Sequence, residues 1–117
     1  MIKVIVAGSR HFTNYGLLRK KLDFYLRKCK RIEIVSGTAK GSDSLGERYA
    51  ITNSLSLKRF PAKWNKHGKK AGYIRNRQMA RYADACIIFW DGKSSGSKHM
   101  IEVAKQYNLQ TRIVKLS

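Results

Sequence analysis

Apolar and polar positions follow two rhythms along this chain. Residues 2–7, IKVIVA, make a short β-rich apolar run that stops at Gly8, the pattern of a buried strand followed by a turn. Thr13 or Asn14 then stands ready to cap a segment in which Tyr15, Leu18, Leu22, Tyr25 and Leu26 recur at helical spacing, with Arg19, Lys20, Lys21 and Arg27 on the other face. IEIV at 32–35 predicts a second strand, stopped by SGTAKGSD, after which Leu45, Tyr49 and Ile51 suggest a second amphipathic helix. Leu55 to Phe60 predicts a third, weaker strand ending at Pro61. Residues 62–72 read as a polar, basic connection holding Trp64, and compact domains reserve loops of that length mainly for function. A helix is predicted from Tyr73 to about Ala83, and ACIIFW at 85–90 is the strongest strand signal in the chain. DGKSSGS follows, then a helix with Met100, Ile101, Ala104 and Tyr107 on one side, and TRIVKL at 111–116 is read as an edge strand.

Five predicted strands thus alternate with four helices, and the strands are apolar without a period of two. That combination requires a parallel sheet covered on both faces, and right-handed crossovers leave few topologies. The expected fold class is α/β, a single Rossmann-like doubly wound parallel sheet of order 3-2-1-4-5, forming one domain over residues 1–117. In such a sheet a ligand sits outside the carboxyl ends of the strands, where the order reverses between strands one and four. Gly8, Ser9, Arg10, Ser36, Gly37, Asp91, Gly92, Ser95, Gly96 and Ser97 should therefore surround one crevice.

Composition agrees with one globular core: 43% hydrophobic and 10% aromatic residues, nine glycines and a single proline. Cys29 and Cys86 are far apart and lack Cys-x-x-Cys spacing, which points to a reducing compartment rather than a disulfide framework. No apolar run reaches the roughly 18 residues that would span a bilayer, so the expected location is the cytoplasm, without a membrane partner. Charge changes the picture more. With 25 Lys and Arg against 7 Asp and Glu, the net charge is +18, and something anionic is expected as partner. The excess is concentrated: no acid lies between Glu47 and Asp84, while Arg48, Lys58, Arg59, Lys63, Lys66, Lys69, Lys70, Arg75, Arg77 and Arg81 all fall there.

Three strand-to-helix turns are rich in Gly and Ser: AGSR at 7–10, SGTAKGSD at 36–43 and DGKSSGS at 91–97. Glycine lets a backbone approach phosphate closely, and the free amides of a helix start carry partial positive charge. Each turn alone is more often an ordinary turn or cap; together, at one end of one sheet, they suggest an anion site. None matches GxxxxGK[ST] or GxGxxG, which disfavours ATPase and dinucleotide readings. Arg10 and Arg75 are placed to clamp a phosphate or carboxylate through a guanidinium. Asp43 and Glu47, four apart, share a helix face and suit ribose binding or acid/base work, or simply a cap and a surface residue. His11, His67 and His99 form no ligand cluster by spacing, so neither metal nor cofactor is expected. Trp64 and Trp90 read first as core or rim packing.

The blocks VIVAGSRHF, IVSGTAKGSDSLGERYA, FPAKW, AGYIRNRQMA and ADACIIFWDGKSSGSKHMIEVAK together resemble the short stand-alone members of the SLOG superfamily. Its relatives include the Lonely Guy phosphoribohydrolases and the DNA-processing protein DprA. The resemblance covers essentially the whole chain and implies a Rossmann-like fold, a nucleotide-derived ligand and a homodimer, in a group of bacterial and phage proteins proposed to sense, sequester or process nucleotide signals. The segment from Arg75 to Met79, Ala83-Asp84 and the turn through Gly96-Ser97 is similar to the Lonely Guy core. That core carries its glycosidic-bond glutamate two or three residues after a GGxGT turn; here His99 and Met100 stand there, and the first downstream carboxylate is Glu102. Where the short proteins usually read SGGARGAD, PADW and AGPIRN, this chain has Thr38, Lys63 and Tyr73 at the divergent places, and a basic Lys63 further favours an anion.

The leading expectation is a module that binds a nucleotide or nucleotide derivative, with Gly37, Gly41, Gly96 and Ser97 on phosphate, Arg10 and Arg75 as clamps and Asp43 near the ribose. Thr38, Lys40, Asn76 and Trp90 complete the expected ligand-contacting set. An enzyme cleaving an N-glycosidic or phosphoester bond through Asp43, Glu47 or Glu102 is the second reading, and nucleic-acid binding through the basic segment 58–81 the third.

Overall fold

The computed structural model describes residues 1–116. Its strands are β1 (Ile2–Gly8), β2 (Ile32–Ser36), β3 (Ser56–Arg59), β4 (Ala85–Trp90) and β5 (Gln110–Lys115). They form one all-parallel sheet of order β3-β2-β1-β4-β5, as the alternating pattern requires. The order reverses between β1 and β4, whose register pairs Val4 with Ala85 and Gly8 with Phe89.

Side chains alternate across the pleat, so each strand feeds two cores. Val4, Val6, Ile34 and Phe89 point to α1 (Tyr15–Tyr25) and α2 (Ser42–Thr52), meeting Leu18, Leu22 and Tyr49. Ile5, Val35, Cys86 and Ile88 point to the opposite face, where α4 (Ala71–Tyr82) and α5 (Ser95–Gln106) supply Met79, Met100 and Val103. Most of these side chains are fully buried, and each contributes about 1.5–3 kcal/mol by leaving water. Asn14 caps α1, its side-chain oxygen accepting from the Leu17 amide at 3.0 Å. Among the described residues no helix is long and apolar enough to cross a membrane.

The connection read as a loop over 62–72 is largely helical: α3 (Trp64–His67), a 3-10 turn (Gly68–Lys70), then α4, which begins at Ala71 rather than Tyr73. Glycine at 68, with φ of 60°, breaks the run into two short pieces that present no long apolar stripe, so periodicity misses them. Ile51 is 66% exposed, because α2 packs its small residues inward and Gly46 sits against Val6. Tyr107 lies just past α5 as its C-cap and is also exposed.

A Cβ at Gly46 would stand 2.8 Å from the Val6 side chain, whereas one at Gly16 meets nothing nearer than 3.5 Å on the exposed start of α1. Gly46→Ala is expected to cost about 1–3 kcal/mol through overpacking. Gly16→Ala should add about 0.5–1 kcal/mol by helix propensity. Urea denaturation of the two variants checks this; equal effects would contradict the close α2–β1 approach.

Candidate functional site

At the carboxyl ends of the strands, the turns after β1, β2 and β4 are tied together before any of them can serve a ligand. Ser9, 3% exposed, is the tie. Its amide donates to the Phe89 carbonyl at 2.8 Å, and its carbonyl accepts from the Ser42 amide and hydroxyl at 3.2 and 3.0 Å. Its hydroxyl accepts from the Asp91 amide at 3.0 Å. Gly8 (φ 147°) and Gly41 (φ 72°) permit this closeness: a Cβ at Gly8 would collide with the Phe89 backbone, and one at Gly41 with the backbone of Ser9 and Arg10.

These turns enclose a cavity of ≈ 430 Å³ over the β1/β4 switch point. Gly8, Arg10, Asp43, Arg75, Asn76, Asp91, Ser95, Gly96 and Ser97 of the sequence-derived set all line it. The rest of that set stands elsewhere. Ser9 is buried beneath the floor. Ser36 and Gly37 are buried, while Thr38 and Lys40 are exposed, and none of these four reaches the wall. Gly41 sits against the Ser9–Arg10 backbone, Gly92 faces solvent, and Trp90 donates from its indole to the Ser94 carbonyl at 3.2 Å. Glu47 is engaged outside the cavity, accepting from Ser36 Oγ at 2.6 Å and Arg59 Nε at 2.9 Å. Glu102 is exposed on α5 and does not line the cavity either.

Asp43 and Asp91 are the carboxylates that do line it, and they are held differently. Asp91 Oδ1 accepts from the amides of Lys93 and Ser94 at 2.8 and 2.9 Å, which lowers its pKa and fixes the turn into α5. Asp43 is 4% exposed and accepts from the Ala39 amide at 3.1 Å. Burial pushes its pKa up to about 6, against the opposing pull of that amide and of Arg75, so it exchanges a proton near neutrality. Arg75 spans the β2 turn: Nη1 donates to the Gly37 carbonyl and Nε to Asn76 Oδ1. Gly37 is squeezed between the Arg75 guanidinium and the Asp43 carboxylate, where a Cβ would lie 2.6 and 2.9 Å from them. Burial lowers the Arg75 pKa, with Asp43 opposing that.

The opposite wall is the start of α5. Its cap, Ser94, makes no side-chain cap bond, so the first-turn amides at Ser95, Gly96 and Ser97 keep their donors for something outside the helix. Pattern reasoning missed His11, Trp64, Lys69, Gly72 and Tyr73, which also line the cavity. Trp64 and Lys69 arrive there because the segment read as a loop folds as α3 and the 3-10 turn, and Gly72 because α4 begins at Ala71; the length of that connection was a sequence signal for them.

A doubly wound sheet with a crevice at its switch point defines a Rossmann-like α/β domain. The pattern of the YspA, cpYpsA-related SLOG family matches residues 2–67, and the chain belongs to that family. The Gene 61 protein of Mycobacterium phage D29 is 32% identical over 117 residues, covering 91% of this chain and 90% of the phage protein. DNA processing protein A from Helicobacter pylori, whose structure describes a single-stranded DNA binding mode, superimposes with a TM-score of 0.71 at 24% identity. DprA from Streptococcus pneumoniae gives 0.77 at 23%. The superpositions cover 96% and 100% of this chain but only 64% and 51% of those two, so this chain spans between half and two thirds of their length and shares their fold.

Asp43 titrates differently in the folded and unfolded chain. A folded-state value near 6 against 3.8 unfolded means that the native chain holds this proton more tightly. Its contribution to folding is fully present below pH 3.8 and is lost as pH rises through 6, about 3 kcal/mol over the whole range. Asp43→Asn keeps an acceptor for the Ala39 amide and removes the titration. The stability of the variant relative to the parent should therefore rise by about 2 kcal/mol between pH 4 and pH 8 in urea unfolding; a difference independent of pH would contradict the assignment.

Proposed function

We propose that this protein binds a nucleotide or nucleotide-derived signal in the cavity at the β1/β4 switch point, holding its phosphate at the start of α5. The observation that carries this reading is the uncapped first turn of α5, with Ser95, Gly96 and Ser97 all lining the cavity. Free helix-start amides and the helix dipole favour an anion at that spot. Arg10 faces the same space, is exposed, and forms no ion pair among the described residues, so it is available to a ligand. The net charge of +18 draws phosphates toward the molecule. Gly96 differs from the turn glycines at 8, 37 and 41: a Cβ there meets nothing within 4 Å. Its smallness serves open space rather than chain packing.

A second reading, single-stranded nucleic acid, is favoured by the acid-free segment 58–81, whose Lys58, Lys63, Lys66, Lys69, Lys70, Arg77 and Arg81 are all exposed. The likeness to the DNA processing proteins supports it as well. On this reading the segment tracks the phosphate backbone electrostatically.

Calorimetric titration separates the two. On the leading reading at least one nucleoside phosphate, cyclic nucleotide or ADP-ribose derivative binds with micromolar or tighter affinity. Arg10→Ala then weakens it roughly 10- to 100-fold, the worth of a charged hydrogen bond. Gly96→Val weakens binding while leaving the thermal midpoint unchanged. Silence from every small molecule, with an oligonucleotide that binds at about 50 mM salt and is lost steeply as salt rises, would replace the leading reading by the second.

A further inference from the structure

We propose that Trp64 and Tyr73 form an aromatic clamp at the mouth of the cavity that stacks on a flat heterocycle, so that the occupant is a base-bearing nucleotide rather than a sugar phosphate or a simple anion. This deepens the reading above and rests on it. Trp64 and Tyr73 are 50% and 42% exposed, among the few large apolar side chains left in water, and both line the cavity. Exposed rings of this size carry a large unburied apolar area, which a stacked ligand removes from solvent.

Both rings are positioned rather than loose. Trp64 begins α3, and its indole lies beside Gly72, where an added Cβ would meet the ring at 3.5 Å, an ordinary contact distance. Tyr73 is the neighbour of Gly72 on the first turn of α4, and its ring packs on His99 with centroids 4.2 Å apart. His99 is itself oriented by Asn76, whose side-chain amide donates to Nδ1 at 3.1 Å. The start of α4 thus flanks the indole, and His99 backs the phenol ring. The anion end at α5 and the aromatic end at α3 and α4 open into one space of ≈ 430 Å³. That is within the range for a whole small ligand and far more than a phosphate requires. Every base offers a π face, so the clamp selects for a base without naming which one.

The test compares the four ribonucleoside 5′-monophosphates with ribose 5-phosphate by calorimetry on the wild type and on Trp64→Ala, Tyr73→Ala and Trp64→Phe. Base stacking is worth about 1–3 kcal/mol, so wild type should hold at least one monophosphate roughly 5- to 150-fold more tightly than ribose 5-phosphate. Trp64→Ala and Tyr73→Ala should shrink that preference while leaving ribose 5-phosphate affinity unchanged, and Trp64→Phe should retain most of it. The same nucleotide should quench indole emission in wild type and not in Trp64→Ala, where Trp90 remains as the reporter. Monophosphates and ribose 5-phosphate binding equally, or a preference untouched in both alanine variants, would overturn the clamp and leave the phosphate site standing. Absence of binding by every one of these ligands would overturn both.

Discussion

The site depends on the hydrogen bonds of one buried serine. Ser9 receives the Asp91 amide on its hydroxyl, the Ser42 amide and hydroxyl on its carbonyl, and gives its own amide to Phe89. Four polar groups drawn from the ends of β1 and β4 and the start of α2 are satisfied at a point almost closed to water. An unmatched buried polar group costs on the order of 1–3 kcal/mol, so none of these turns can move without exposing the others to that penalty. Ser9 therefore converts three flexible-looking Gly/Ser segments into a fixed rim.

That rim divides the polar groups into two kinds. Glu47, Ser36, Gly37 and most of the Arg75 guanidinium are spent on holding the chain to itself. Arg10 and the first-turn amides of α5 are not, and both line the cavity. Asp43 lines it too, buried enough for desolvation to hold its pKa near 6. A carboxyl in that state repels an anionic ligand less than a fully ionised one would, and it can donate or accept a hydrogen bond as pH requires. The cavity thus combines fixed positive potential with one adjustable group.

Much of the fold was legible because its signals are local. The apolar runs at 2–7 and 85–90 and the amphipathic α1 and α5 are long enough for periodicity to show, and parallel order follows from alternation. The site was legible only in part, for physical reasons visible in particular residues. A glycine demanded by backbone crowding, such as Gly8 or Gly41, has the same letter as Gly96, which borders open space. Ser9 reads like a ligand contact but is a buried tie. Glu47 shares a helix face with Asp43 as its spacing says, yet Arg59 from a neighbouring strand claims it. Trp64 reached the cavity through two short helical pieces whose propensities are too weak to announce themselves. For Gly8, Gly41, Ser9 and Glu47 the deciding contact joins residues far apart in sequence.

We propose an anionic nucleotide held between the β1 turn and the start of α5. Mapping amide chemical shifts during titration with a nucleotide that binds measures this directly. The largest shifts are expected at Arg10 and at Ser95, Gly96 and Ser97, with the amide of Ser9 following through its bond to Phe89. Shifts confined to the exposed lysines of 58–70, with the α5 start unmoved, would contradict it.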